Sequence, residues 1–242
     1  FVDSLVFILD SNKNIFSIEI CEGQVISHQR SVGRAKFEMI EPFSLSADKH
    51  HVYVYDSVKR CFFILDHDLT IKACIPISTN IDYFRKTNDG FLCVSLMQRQ
   101  MAYYFNEGGI IQHSYELSNI DSDIRNPTSV FQIGANGTIY LKAMFGNTIY
   151  AFEKNELKPI YNIDYGEYSI PSETTSSYNI LNSDYKYSLD FFIIGKDILH
   201  SFYDPNNHIL TYNIQIYNSN KNYTGTIGKC GSIPFIPKWQ FG

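Results

Sequence analysis

A loose repeat of forty-odd residues constrains the fold of this chain more than any other feature of its sequence. Each copy reads as an apolar strand, a polar turn and a second apolar strand. The first copy is LVFILDSNKNIFSI, residues 5–18. The second, VYVYDSVKRCFFIL at 52–65, lays Asp56-Ser57 on Asp10-Ser11 and Phe62 on Phe16. The third, LCVSLMQRQMAYYF at 92–105, places Tyr103 in the Phe16 position. The fourth, IYLKAMFGNTIYAF at 139–152, lays Ile149-Tyr150 on Ile15-Phe16. The fifth, LHSFYDPNNHILTY at 199–212, brings Asp204 onto Asp10 and Leu210 onto Phe16. The aligned positions 16, 62, 103 and 150 are separated by 46, 41 and 47 residues, and the next gap, to 210, is 60. The long gap holds a polar insertion at 167–187.

Each pair of strands has apolar-alternating flanks. PFSLSA (42–47), DYFRKT (82–87), SVFQIG (129–134) and SLDFFIIG (188–195) precede a pair. GQVISHQ (23–29), LTIKACIPI (69–77), GIIQHSYEL (109–117) and LKPIYNID (157–164) follow one. That makes four short strands per unit. The turns between them carry residues that tolerate positive φ, as in Asn106-Glu107-Gly108-Gly109 and Ala135-Asn136-Gly137. No long stretch has a helical period with caps, which disfavours strand–helix–strand units. A lone four-stranded sheet cannot bury both its faces, whereas sheets stacked around an axis can. The expected fold is therefore all-β: a β-propeller of four-stranded antiparallel blades, with about five blades visible.

A single propeller domain over 1–242 is expected, with blade copies near 1–30, 40–78, 81–118, 128–166 and 188–228. The first copy lacks a leading strand, and SIPFIPKW (232–239), within the segment 230–242, reads as a leading strand with nothing after it. Two closures remain open. That segment completes the first blade of a five-bladed ring, or the chain is part of a six-bladed one.

Composition bounds the function classes. Hydrophobic residues are 44% of the 242, enough for a sizeable core. The 18 Tyr and 18 Phe suit pleated, half-buried surfaces. The net charge of −5, with no Lys/Arg block, argues against general nucleic-acid binding. No apolar run reaches the ~18 residues of a membrane helix, and residues 1–20 show no signal-peptide pattern. The five cysteines, Cys21, Cys61, Cys74, Cys93 and Cys230, form no CxxC pair and point to neither a zinc site nor a disulfide framework. The seven histidines show no metal-ligand spacing, and no cofactor motif occurs, so neither a metal nor a cofactor is expected. Asp10-Ser11-Asn12-Lys13-Asn14 matches the first half of a calcium loop, but Ile15 and Cys21 stand where Gly and Glu belong. Turn chemistry is the simpler reading, because Asp204 recurs in the same slot.

Three stretches resemble a known family: the exported six-bladed β-propeller proteins of Bacteroides and related gut bacteria, often lipoproteins, with NHL- and TolB-like architecture. VFILD (6–10) followed by SVGRAKFEMIEPFSL (31–45) resembles a family strand ending in Asp and a later Gly-Pro-Gly-Glu segment. Here Gly33 and Glu38 remain, with Arg34-Ala35-Lys36-Phe37 in place of the usual pattern. NTIYAFEKNELKPIYNIDYGEYSIP (147–171) is similar to a family stretch running from a strand to an "iDfG…iP" turn. CGSIPFIP (230–237) resembles a late family segment without its Asp. The resemblance implies a six-bladed ring with more sequence at both ends. It also implies a place in the cell envelope or periplasm, with a lipid anchor in the parent protein. It carries no common activity.

The expected role is a non-enzymatic binding module with a glycan or envelope-protein partner. The insertion offers Tyr168, Tyr178, Tyr185 and Tyr187 as a platform for sugar rings. Asp82, Arg85 and Asp190 are the charged residues on the candidate inner strands, and a propeller offers a concave site at its axial mouth. A lyase or hydrolase with an axial site is the enzymatic alternative; a rigid scaffold is the structural one.

Overall fold

The computed structural model describes residues 4–30, 33–96, 99–121, 130–134, 136–194, 197–204, 213–218 and 221–226. The strands are β1 (Leu5–Leu9), β2 (Asn14–Glu19), β3 (Val25–Arg30), β4 (Pro42–Ala47), β5 (Val52–Asp56), β6 (Cys61–Leu65), β7 (Ile71–Pro76), β8 (Tyr83–Thr87), β9 (Gly90–Ser95) and β10 (Gln100–Asn106). There follow β11 (Ile111–Ser118), β12 (Phe131–Ile133), β13 (Ile139–Lys142), β14 (Thr148–Glu153), β15 (Glu156–Asn162), β16 (Tyr187–Ile194), β17 (Asp197–Tyr203), β18 (Asn213–Asn218) and β19 (Lys221–Thr226). One short helix, α1 (Ser177–Leu181), and a single 3-10 turn at Gly166–Tyr168 lie between β15 and β16.

These strands form five sheets, each running in chain order: β1-β2-β3, β4-β5-β6-β7, β8-β9-β10-β11, β12-β13-β14-β15 and β16-β17-β18-β19. Among the described residues the strands of a sheet pair as antiparallel hairpins, for example Tyr55 opposite Phe62 and Leu141 opposite Tyr150. The repeat seen in the sequence is thus a repeat of meandering sheets, the blade unit of a propeller. In the fifth sheet the described part of the third strand begins at Asn213, while Leu210 and the segment 232–239 lie outside the described residues.

Four hairpins share one turn geometry. Asp10, Asp66, Asn106 and Gly134 each donate an N–H to the carbonyl four residues on and accept one from the residue three on. The residue three on has positive φ: Lys13, Leu69, Gly109 and Gly137. The Asp10 carboxylate caps its turn, Oδ1 accepting from Asn14 N at 2.7 Å and Oδ2 from Asn14 Nδ2 at 2.9 Å. The calcium-like pattern is therefore a turn, held by side-chain-to-backbone bonding.

The chain divides into two compact units, Phe1–Ser95 with Ala102–Ser114, and Leu96–Met101 with Tyr115–Gly242. In the first unit β5 and β6 supply two cores by simple alternation. Tyr53, Tyr55 and Phe62 join Phe84, Phe91, Cys93 and Phe105 on one side. Val52, Val54, Cys61, Phe63 and Leu65 join Ile15, Met39 and Leu69 on the other. Phe62 stacks on Phe91 with centroids 4.2 Å apart. A sheet buried on both faces is what stacking demands, and each fully buried Phe contributes about 2–3 kcal/mol of transfer free energy. In the second unit Ile149, Ile163, Phe191 and Ile198 form the corresponding core between two sheets.

Candidate functional site

The insertion between β15 and β16 is built from local turns and then tied down. Asp164 Oδ1 accepts from Gly166 N at 2.8 Å, and Tyr165 N donates to Ser169 Oγ at 3.0 Å. Lys186 N donates to Tyr168 O at 2.9 Å, closing the loop on itself. A second set of bonds ties it to the segment after β11: Asp121 N to Thr175 O (2.7 Å), Ser177 N to Asp121 O (3.2 Å) and Asn119 Nδ2 to Ser172 O (3.2 Å). Five residues are too few for α1 to be stable alone. Its anchor is Ile180, which is buried with Ile120, Phe145 and Tyr187.

That anchoring decides what each tyrosine does. Tyr178 and Leu181, on the same short helix, are left 73% and 43% exposed. Tyr168 is half-buried, and the Lys186 ammonium covers its ring at 4.6 Å while pairing with Asp204 at 3.2 Å. Tyr185 is half-buried, its N–H donating to Ser183 Oγ. Tyr187 is the first residue of β16 and lies in the core, edge-on to Phe145 at 5.1 Å and stacked on Tyr203 at 5.2 Å. The four rings therefore occupy four different settings, and Tyr178 presents the most open surface.

The charged residues of the first strands fall in different units. Asp82, just before β8, and Arg85, on β8, belong to the first; Asp190, on β16, belongs to the second. Asp82 N donates to Val94 O at 2.8 Å. Burial lowers the pKa of the Arg85 guanidinium. Asp190 sits at a bulge between Ser188 and Phe191, is 8% exposed, and donates its N–H to Ser201 Oγ.

Two ionisable residues accompany Asp190: Lys142, which sequence reasoning left aside, and His200, one of the seven histidines. Lys142, the last residue of β13, is fully buried, and its Nζ donates to Ala143 O (3.0 Å), Gly146 O (3.4 Å) and Ser188 O (3.3 Å). The first two carbonyls follow its own strand; the third belongs to the next sheet, so the ammonium bridges the two. His200, on β17, is buried against Tyr165 and Phe202, with centroids at 6.2 and 5.8 Å. Burial pushes Lys142 down to about 8, opposed by the Asp190 carboxylate. Burial and the Lys142 charge push His200 down to about 4. At neutral pH the lysine is the cation and the imidazole is neutral. None of the three exceeds 8% exposure, so a substrate has almost no surface of them to meet. Lys142 joins the two sheets through its bonds to the Ala143, Gly146 and Ser188 carbonyls. The only sequence signal for Lys142 was a lone charge closing an apolar strand.

Among the described residues no group of His, Cys, Asp and Glu is placed to hold a metal ion, and no helix is long and apolar enough to cross a membrane.

No family model matches the chain, and no curated protein matches it in sequence. Solved structures do match. A predicted exported protein of Bacteroides fragilis is similar with a TM-score of 0.72 at 16% identity, over 94% of this chain and 70% of that one. Streptogramin B lyase is similar with a TM-score of 0.51 at 10% identity, over 93% of this chain and 69% of that one. At such identities the likeness is one of fold. Together with the repeated four-stranded antiparallel sheets, it makes the chain a β-propeller protein.

Proposed function

We propose that this chain is a non-enzymatic β-propeller binding module of the cell envelope or periplasm, meeting a glycan or an envelope protein at the insertion between β15 and β16. The observation that carries the reading is Tyr178, 73% exposed on a short helix that Ile180, two residues on, pins in the core. An aromatic ring held on an ordered support recognises a sugar face or an apolar side chain at little entropic cost. Likeness in fold to a predicted exported protein supports the envelope setting. A six-bladed ring of NHL or TolB type, lipid-anchored in the parent protein, completes the proposal and needs no cofactor.

The enzymatic alternative draws on Lys142, Asp190 and His200, three ionisable groups in one place. Their burial speaks for the binding role instead. A glycan array followed by calorimetry tests the proposal. The expected result is binding that weakens at least tenfold in Tyr178→Ala with the fold unchanged. Binding that ignores Tyr178 and Leu181, or turnover of a bound glycan, overturns it.

A further inference from the structure

Sequence spacing gave no reason to pair any cysteines, yet the fold brings two of them together. Cys61 opens β6 and Cys74 lies within β7, the neighbouring edge strand of the same sheet. In the register Cys61 stands opposite Pro76 and Phe63 opposite Cys74. Cys61 and Cys74 are therefore diagonal neighbours on one face of the pair. The Cys74 thiol lies beside that of Cys61. Both pack in the core that holds Val54 and Phe63. Their exposures differ: Cys61 is buried, whereas Cys74 is partly open. Cys93 is buried in the opposite core, and Cys21 is exposed in the turn between β2 and β3.

We propose that Cys61 and Cys74 form an oxidisable pair, closed to a cross-strand disulfide by a small disulfide oxidant such as oxidised glutathione. Cys74, the accessible member, gives up its proton, and its thiolate attacks one sulfur of the oxidant. One glutathione thiolate leaves, and a mixed disulfide remains on Cys74. Cys61 then loses its proton and attacks the Cys74 sulfur, expelling the second glutathione thiolate. Two protein thiols lose two protons and two electrons; the oxidant gains the electrons and becomes two thiols. Burial and the adjacent Cys74 raise the Cys61 pKa, which makes Cys61 the resolving member and slows the second step.

Diagonal residues on antiparallel strands have Cα atoms about 7–8 Å apart, at or beyond the upper limit for an unstrained disulfide. Closing the bond must draw β7 toward β6. A register shift beside Leu65 and the position of β7 at the sheet edge allow this without breaking a second ladder. The bond is therefore strained and easily reduced, a redox-responsive link rather than a permanent staple.

The test uses the full chain with Cys21→Ser and Cys230→Ser, incubated with oxidised glutathione and followed by mass spectrometry of the intact protein and of its peptides. The expected result is a mass lower by about 2 Da, as two thiols become one disulfide. A peptide linking Cys61 to Cys74 appears, Cys93 stays a thiol, and mild dithiothreitol reverses the change. Adding Cys61→Ser is expected to leave a lasting glutathione adduct on Cys74. Adding Cys74→Ser is expected to leave Cys61 unmodified. A persistent adduct on Cys74 while Cys61 is present, a link involving Cys93, or unchanged thiols at both positions overturns the proposal. None of these outcomes depends on ligand binding at Tyr178.

Discussion

Asp56 shows how much one side chain holds in place. It is fully buried, and its two oxygens accept from four backbone amides: Ile40 and Glu41 in the segment before β4, and Val58 and Lys59 in the turn after β5. Removing the carboxylate strands these donors, each at about 1 kcal/mol or more. Asp56→Ala is expected to lose about 3–5 kcal/mol in urea unfolding, and Asp56→Asn, which keeps one acceptor, roughly half of that. Equal losses for both would show that packing, not the amide bonds, matters there. His200 makes a second prediction at this scale. Its folded pKa of about 4 lies below the ordinary 6.5, so between these values the unfolded chain binds more protons. Stability is then full above pH 6.5 and falls as the pH drops toward 4, by about 3 kcal/mol. Lys142, held near 8 against an ordinary 10.5, makes stability rise further between those values. Urea midpoints from pH 7 down to 4 should fall in the wild type and flatten in His200→Leu; parallel curves would remove His200 from the account.

At the scale of elements, two glycines separate close packing from backbone strain. A Cβ on Gly90, in β9, would meet the Phe105 carbonyl of β10 at 1.9 Å, and backbone in a ladder cannot give way. Gly137 has φ +79 with open space around it, so a Cβ there meets strain alone. Gly90→Ala is expected to cost about 3 kcal/mol and Gly137→Ala about 1 kcal/mol, read from paired denaturation curves. Lys13 and Leu69 fill the same turn slot as Gly137 without being glycine. Leu69 is 1% exposed, and its burial offsets the strain. The helix α1 depends on one contact in the same way. Ile180→Ala is expected to free the insertion and open cleavage sites between 169 and 183 to limited proteolysis, with the sheets intact. An uncut loop would mean that the bonds to Asn119 and Asp121 suffice.

For the whole molecule, burial ranks the strands. All five residues of β5 are buried, whereas β15 and β3 are mostly exposed. Hydrogen exchange should therefore be slowest in β5, β6 and β9 and fastest along β3, β11 and β15, the last strands of their sheets, as expected when stacked sheets protect their middle strands. Uniform protection would contradict the two-core alternation of β5 and β6.

The architecture was legible because it rests on local signals. A period of two along each strand, turn residues at recurring places and one unit repeated down the chain all survive in a single sequence. Expected segments such as 42–47 coincide with β4, and the turn expected at Asp10 is the one its carboxylate caps. The tyrosines of the insertion, the Cys61–Cys74 contact and the burial of Lys142 were not legible. Tyr178 and Tyr187 are alike as letters, and only the seating of Ile180 and the start of β16 put one in solvent and the other against Phe145. Which ring is open, which thiols touch and which charge is enclosed depend on side chains meeting across strands and between sheets. Those contacts join residues far apart in the chain, and no local pattern encodes them, so the sequence determined the sheets while tertiary packing decided what their surfaces present.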